Sequence, residues 1–238
     1  MEGGPRVLAA GRASEILALD EGRVLRRTLG PADLEREAAV MRYAAERGFS
    51  VPLVFEVRPD GLVLERIAGP TMAADLVRHP WRTGAHARTL AGLHRRLHQL
   101  APPPAVPARY GPPSAGDVLL HGDLHPLNVL LSARGPVVID WTNAGRGPAG
   151  ADLADLWLVM AAARIPGTPP ARLVISAVRR HFLNRFLDAA GREEAAACLD
   201  LAAAVRAEDP HLDRSERAAM HEEVGRIRRG GGARTPRG

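Results

Sequence analysis

The sequence contains no lysine, only one cysteine and few aromatic residues. All 32 basic residues are arginines, and aromatic residues make up 4% of the chain. A single cysteine, Cys198, excludes an internal disulfide and is typical of a protein from a reducing compartment. The N-terminal residues lack the apolar run of a signal peptide, and no apolar run elsewhere is long enough to span a bilayer. These absences predict a cytoplasmic protein without a membrane segment.

The net charge of +5 is unevenly distributed along the 238 residues. Residues 191–224 carry nine acidic residues and four arginines, whereas residues 225–238 carry five arginines and no acidic residue. The glycine- and arginine-rich end predicts a disordered basic tail over 230–238. Aromatic residues do not interleave with these arginines, so the sequence does not predict a nucleic-acid partner. The hydrophobic content of 46% is sufficient for a substantial core.

Three polar residues with a distinctive spacing suggest phosphoryl transfer. Asp123 precedes Asn128 by five positions, and Asp140 follows an apolar run. Kinases need one carboxylate to orient the attacking hydroxyl, and an amide and a second carboxylate to hold Mg²⁺. The spacing from Asp123 to Asn128 is that of a kinase catalytic loop. The apolar runs 129–131 and 137–139 predict a hairpin that brings Asn128 and Asp140 together.

The histidines of the sequence allow other interpretations. His121, Asp123 and His125 alternate, so on a strand they would share a face and could bind a metal, as in a phosphoesterase. The sequence shows no second cluster of histidines and carboxylates that would complete a dinuclear site. The segment could also be a polar turn without a catalytic role, but this would not explain why Asn128 opens the predicted hairpin that ends at Asp140. His94 and His98 have the four-residue spacing of zinc ligands, but the sequence offers no evident third ligand.

The segments His121–Pro126 with Asn128, and Ile139–Trp141, resemble the aminoglycoside phosphotransferase and choline kinase-like family. The resemblance covers roughly residues 7 to 190. Gly122 and Trp141 replace the arginine and phenylalanine of protein kinases, which favours the small-molecule branch, and no A-P-E motif follows.

Two features outside these motifs refine the resemblance. Gly147-Pro148 and Asp152-Leu153-Ala154 resemble the family's segment after the metal aspartate, whereas Leu127 departs from the usual glycine. Asp152 is also expected to cap the apolar helix that follows it.

The resemblance implies an α+β, protein-kinase-like two-lobe fold. An N-terminal nucleotide-binding lobe is expected over 1–68, with a small antiparallel sheet and one helix of about 15 residues from Asp33. Its strands are predicted at 7–19, 22–28, 51–57 and 61–67. A mainly helical catalytic and substrate lobe is expected over 69–229. Its helices are predicted at 82–100, 152–163, 170–190, 192–207 and 213–229.

The resemblance also implies nucleotide-binding residues. Arg26 is expected to hold the α- and β-phosphates and to pair with Glu37, and Arg27 is the alternative because alternation allows only one of the two to face the cleft. Ser14 is the candidate donor to a phosphate in a loop without the G-x-G-x-x-G pattern. The hinge, from Glu65 to Gly69 and including Ile67, is expected to hold adenine through its backbone.

The implied activity is transfer of the γ-phosphoryl group of ATP, or GTP, to a hydroxyl of a small substrate. Asp123 would accept the hydroxyl proton, His121 would brace the catalytic loop, and Asn128 and Asp140 would hold Mg²⁺. The acidic excess in 191–224 suits a polycationic acceptor such as an aminoglycoside, although a solvated helix face also explains it. Other antibiotics, amino alcohols and sugars remain candidates, and the alternative function is a kinase-like module that binds nucleotide with little turnover.

Overall fold

The N-terminal lobe is an antiparallel sheet that carries one long helix. The computed structural model describes residues 6–11, 13–162, 168–208 and 214–231. Five strands lie side by side in the order β1-β2-β3-β5-β4. Their bounds are β1 Val7–Ala10, β2 Ser14–Ala18, β3 Arg23–Thr28, β4 Val54–Arg58 and β5 Gly61–Glu65.

The first predicted strand, 7–19, is divided in the structure. β1 and β2 form a hairpin in which the Gly11 N–H donates to the Ser14 carbonyl over 2.8 Å. Glycine accommodates such a tight reversal more readily than residues with a Cβ. The sequence therefore predicted one strand where the structure has two strands and a turn.

The helix of this lobe, α1, spans Leu34–Glu46. The Asp33 carboxylate caps it by accepting from the Arg36 N–H over 3.0 Å. Ala38, Met41 and Ala44 are buried and share a core with strand residues of β3 and β5. Helical spacing of apolar residues thus places α1 against the inner face of the sheet, which is also the face of Arg26.

The connection between the lobes is held by a close backbone contact. A Cβ at Gly69 would lie 2.0 Å from the Leu131 carbonyl oxygen, so only glycine fits there without movement of the chain. The Leu131 N–H donates to the Pro70 carbonyl over 2.9 Å. Helix α2, Met72–Arg78, follows with Thr71 as its cap and was not predicted.

The second lobe is mainly helical and contains two small antiparallel sheets of two strands each. Strand β6, Val118–Leu120, pairs with β9, Gly145–Gly147, and β7, Val129–Ser132, pairs with β8, Gly135–Val138. The helices are α3 Thr83–Leu97, α4 Ala149–Ala162, α5 Pro169–Ala190, α6 Arg192–Ala197, α7 Leu199–Ala207 and α8 Arg214–Gly231.

The α+β, kinase-like two-lobe fold predicted from the sequence is confirmed. One apolar core runs from Leu62 in the sheet to Leu90 and Phe182 in the helical lobe. Within the described residues, no helix is both long and apolar enough to cross a membrane. Residues 232–238, most of the predicted basic tail, lie outside the described residues, and 230–231 form the end of α8.

Candidate active site

A buried aspartate fixes the backbone of the catalytic loop. Asp152 accepts from the Gly122 N–H over 2.8 Å and from the His121 N–H over 3.2 Å. It lies within α4 and is 1% exposed, so the prediction that it caps the helix is wrong. Burial would raise the pKa of Asp152, but the hydrogen bond with His98 opposes this effect, and the pKa lies well below its usual value. A fixed negative charge therefore anchors two successive amides of the loop.

His121 is buried against Trp141, and its bracing of the loop stays a prediction. Its ring is fully buried, lies 4.8 Å from the Trp141 ring between centroids, and its Nε2 contacts the Ile139 carbonyl over 3.1 Å. Burial lowers the pKa of His121, which keeps the ring neutral. Among the described residues, His121, Asp123 and His125 do not bring their ligand atoms close enough together to share a metal ion. This geometry disfavours the phosphoesterase interpretation.

Asp123 is a partly exposed carboxylate with partners on both oxygens. Oδ1 accepts from Arg206 Nη2 over 2.7 Å, and Oδ2 lies 3.4 Å from His125 Nε2. The Leu127 N–H donates to His125 Nδ1 over 3.3 Å, so the ring proton is on Nε2 and faces the carboxylate. Burial would raise the pKa of Asp123, but His125 and Arg206 hold it well below its usual value. Asp123 is therefore ionised at neutral pH.

Asn128 and Asp140 are neighbours because of the predicted hairpin. β7 pairs with β8 in the register Val129 to Val138, and the Ile139 N–H donates to the Asn128 carbonyl over 3.0 Å. Asn128 Nδ2 donates to the Asp123 carbonyl over 2.9 Å, which leaves its Oδ1 for another partner. An amide oxygen and a carboxylate are suitable ligands for Mg²⁺.

Asp140 has an unusual backbone conformation. Its φ of 64° is the only positive value for a non-glycine residue in the described part of the chain. The left-handed region is tolerated by aspartate and asparagine better than by most residues, and such strain is concentrated at functional sites. The Thr142 hydroxyl donates to Asp140 Oδ1 over 3.0 Å, which orients the carboxylate.

Arg26 and Arg27 point to opposite faces of the sheet. Arg26 is 7% exposed and forms an ion pair with Glu37 of α1, and its Nη1 lies 3.9 Å from Asp140 Oδ1. Arg27 points to the other face, where it pairs with Glu15 over 2.5 Å. Burial raises the pKa of Glu37, although Arg26 opposes the change. Arg26 therefore lies beside the candidate metal site, and its contact with phosphates stays a prediction.

Ser14 and the hinge occupy positions compatible with their predicted roles. Ser14 pairs with Thr28 at the edge of the hairpin, on the same sheet face as Arg26. The Glu65 side chain accepts from Arg134 over 2.9 Å, and its N–H donates to the Leu53 carbonyl. No backbone hydrogen bond between described residues engages Ile67. Adenine recognition by this backbone stays a prediction.

A cation from α7 was missed by sequence reasoning. Arg206 donates through Nε and Nη2 to Asp155 over 2.6 and 2.8 Å, and through Nη2 to Asp123 over 2.7 Å. Burial alone would lower the pKa of Arg206, but the two carboxylates raise it, so the guanidinium stays charged. Burial raises the pKa of Asp155, although Arg206 opposes the change. Arg206 therefore links a buried carboxylate of α4 to the candidate catalytic aspartate.

Replacing Arg206 with glutamine is expected to lower the free energy of unfolding by about 3 kcal/mol, because it leaves Asp155 buried without its cation. Urea unfolding measures this. The raised pKa of an unpaired Asp155 means that the folded state binds more protons than the unfolded state, so the deficit should shrink as the pH falls through that pKa.

Two variants sharpen this test. Asp155→Asn combined with Arg206→Gln should recover most of the lost stability, since no unpaired charge remains buried. Arg58→Gln, which breaks an exposed pair with Glu56, should change stability little. Equal effects of Arg206→Gln and Arg58→Gln would contradict a stabilising role for the buried pair.

The chain was compared with known proteins. The model of the phosphotransferase enzyme family, APH, matches residues 7–118 and 104–199. No curated protein matches the sequence significantly. One similar solved structure is that of a thermostable mutant of aminoglycoside phosphotransferase APH(4)-Ia in its apo form. Its sequence is 15% identical to this chain, and the TM-score is 0.64. The alignment covers 98% of this chain and 96% of that chain.

Two further solved structures share the fold. Choline kinase from Cryptosporidium parvum Iowa II is 11% identical with a TM-score of 0.56, covering 96% of this chain and 88% of that chain. Amicoumacin kinase hAmiN, in complex with AMP-PNP, Ca²⁺ and Ami, is 18% identical with a TM-score of 0.55, covering 97% and 89%. The family match and the fold together show that this chain belongs to the APH phosphotransferase enzyme family and is a phosphotransferase that acts on hydroxyl groups.

Proposed function

We propose that this protein transfers the γ-phosphoryl group of ATP, or of GTP, to a hydroxyl of a small molecule. The observation that carries the proposal is the convergence of Asp123, Asn128 and Asp140 beside the buried Arg26–Glu37 pair. Phosphoryl transfer depends mainly on positioning and charge neutralisation, and these groups supply both.

Different residues would bind the nucleotide and the acceptor hydroxyl. Arg26 would hold the nucleotide phosphates, with Glu37 and Thr142 fixing the guanidinium. Asn128 Oδ1 and the Asp140 carboxylate fit the preference of Mg²⁺ for oxygen ligands, and the ion would neutralise charge on the phosphates. Asp123, ionised at neutral pH, would orient the acceptor hydroxyl and take its proton.

The charged groups around Asp123 nearly balance. Arg206 lies 2.7 Å from Asp123 and also pairs with Asp155, which is only 1% exposed. Arg109 donates to the Gly122 carbonyl over 3.3 Å. Because two carboxylates accompany the two guanidinium groups, the net charge next to Asp123 is close to zero.

The acidic residues of 191–224 do not offset these arginines. Those that the structure describes are exposed or, in the case of Glu223, buried against Trp157, and none of them contacts Asp123. This arrangement supports the interpretation of a solvated helix face over an acidic wall for an aminoglycoside.

A coupled assay of nucleotide consumption with sets of acceptors matched in shape tests the proposal. Glucose, glucuronate and glucosamine differ mainly in charge, and choline, an aminoglycoside and amicoumacin extend the panel to the acceptors of similar folds. ATP and GTP would each be supplied with Mg²⁺, and Asp123→Asn would serve as the inactive control.

Acceptor-stimulated consumption that is lost in Asp123→Asn is the expected result. The comparison of glucose, glucuronate and glucosamine then assigns the charge of the preferred acceptor. Nucleotide binding without consumption for any acceptor would instead favour the binding module.

A further inference from the structure

A second group of potential ligands lies behind the catalytic loop, away from the nucleotide site. His94 and His98 are one turn apart on α3, and both face Asp152 of α4. His98 Nε2 lies 3.2 Å from Asp152 Oδ2, and His94 Nδ1 lies 3.7 Å from the same oxygen. All three ligand atoms lie within 4.8 Å of one another. Asp152 therefore supplies the third ligand that the sequence did not reveal.

The tautomer of His94 makes this group unusual. His94 Nε2 contacts the Leu124 carbonyl over 3.2 Å, and a carbonyl oxygen only accepts, so the ring proton is on Nε2. Nδ1 then presents a lone pair. It is buried, lacks a hydrogen-bond partner and faces a carboxylate oxygen. Two acceptors facing each other in a buried site repel, and a cation between them removes the repulsion.

The His94 ring is buried against an aromatic side chain. The ring is 1% exposed and packs edge-on against Phe186. The buried Nδ1 therefore remains without a hydrogen-bond partner and directed at Asp152.

We propose that His94 Nδ1, His98 Nε2 and Asp152 Oδ2 bind a divalent transition-metal ion of the zinc class. Two imidazoles and a carboxylate form a usual donor set for zinc, in which tetrahedral ligands lie about 3.3 Å apart at bond lengths of about 2.0 Å. The separations of 3.2 and 3.7 Å from Asp152 Oδ2 are close to this value, and a bound ion would draw the two histidine nitrogens together from their separation of up to 4.8 Å. A metal-bound histidine also commonly donates its other N–H to a backbone carbonyl, as His94 does.

The surroundings leave room for a fourth ligand. His94 and His98 line a cavity of about 170 Å³ that also borders Gln99 and Glu194. Water in this cavity would complete a four-coordinate site. Arg95 borders the same cavity, and its guanidinium donates to the Ala189 carbonyl over 2.9 Å.

Such an ion would connect two helices to the catalytic loop. Asp152 accepts from the His121 and Gly122 N–H groups while it faces the histidines of α3. A metal bound to Asp152 would therefore hold α3, α4 and the loop in one arrangement. The role is structural, so the proposal does not depend on which acceptor is phosphorylated.

Titration of the chelator-treated, tag-free protein with ZnCl₂ tests the site, using calorimetry and thermal unfolding. One equivalent of zinc is expected to bind and to raise the Tm, and Co²⁺ is expected to give the visible absorption of a four-coordinate ion. His98→Gln should weaken zinc binding by more than about tenfold. His181→Gln, on an exposed face of α5, should leave it unchanged.

The outcome for the native chain decides the question even if a variant folds poorly. Absence of stoichiometric zinc binding would overturn the proposal. Equal binding by the native chain, His94→Gln and His98→Gln would overturn it as well, because the zinc would then be held elsewhere.

Discussion

Asp123→Asn is expected to reduce kcat by about 10²- to 10⁴-fold, which is the range for loss of a positioned general base. Asparagine keeps the shape of the side chain but loses the charge that accepts the hydroxyl proton. Nucleotide affinity should change little, because the nucleotide is expected to contact Arg26, Asn128 and Asp140 instead. Single-turnover kinetics and calorimetry with AMP-PNP separate the two quantities.

The interpretation of this variant requires two controls. Asp188→Asn, an exposed aspartate paired with Arg192 on the surface, should leave kcat unchanged. Circular dichroism should show that Asp123→Asn remains folded, since Arg206 keeps its two contacts with Asp155. A folded variant with undiminished kcat would exclude Asp123 as the residue that orients the acceptor.

Asp140→Asn is expected to remove the dependence of nucleotide binding on Mg²⁺. The substitution replaces one carboxylate oxygen by an NH₂ group, which repels the cation, while the neighbouring Asn128 is unchanged. Asparagine also tolerates the φ of 64°, whereas alanine at this position would add roughly 1 kcal/mol of backbone strain. Asparagine therefore tests the carboxylate without disturbing the loop.

Calorimetry with AMP-PNP at zero and saturating Mg²⁺ measures this effect. The native chain should bind the nucleotide more tightly with Mg²⁺, and the variant should bind with the same low affinity in both conditions. Asp155→Asn, which alters a carboxylate on the acceptor side, should retain the response to Mg²⁺. A full Mg²⁺ response in Asp140→Asn would assign the metal to other ligands.

The features that sequence reasoning identified are those that depend on short stretches of chain. The spacing of Asp123 and Asn128 and the hairpin that follows are local, so the register that brings Asn128 next to Asp140 follows from two apolar runs and a turn. Helix α1 was predicted for the same reason, from a capping aspartate and apolar residues at helical spacing.

The sequence predicted contacts less well where the two contacting residues are far apart in the chain. It also could not distinguish the two faces of a strand that carry similar residues. Alternation allowed either Arg26 or Arg27 to face the cleft, and only the packing of α1 on one side of the sheet selects Arg26. Asp152 was assigned to a helix cap because that role requires only neighbouring residues, whereas its actual partners come from α3 and the catalytic loop.

The sequence by itself determined the family, the two-lobe fold and the three polar residues proposed to carry the chemistry, because each is encoded in a local pattern. Only the tertiary structure showed that Arg206, 83 residues from Asp123, reaches the candidate catalytic carboxylate. Only the tertiary structure brought Asp152 to His94 and His98. Contacts of this kind depend on how the helices pack against one another. Helix packing depends on the burial of many apolar side chains from distant parts of the chain, so it cannot be predicted from one short segment.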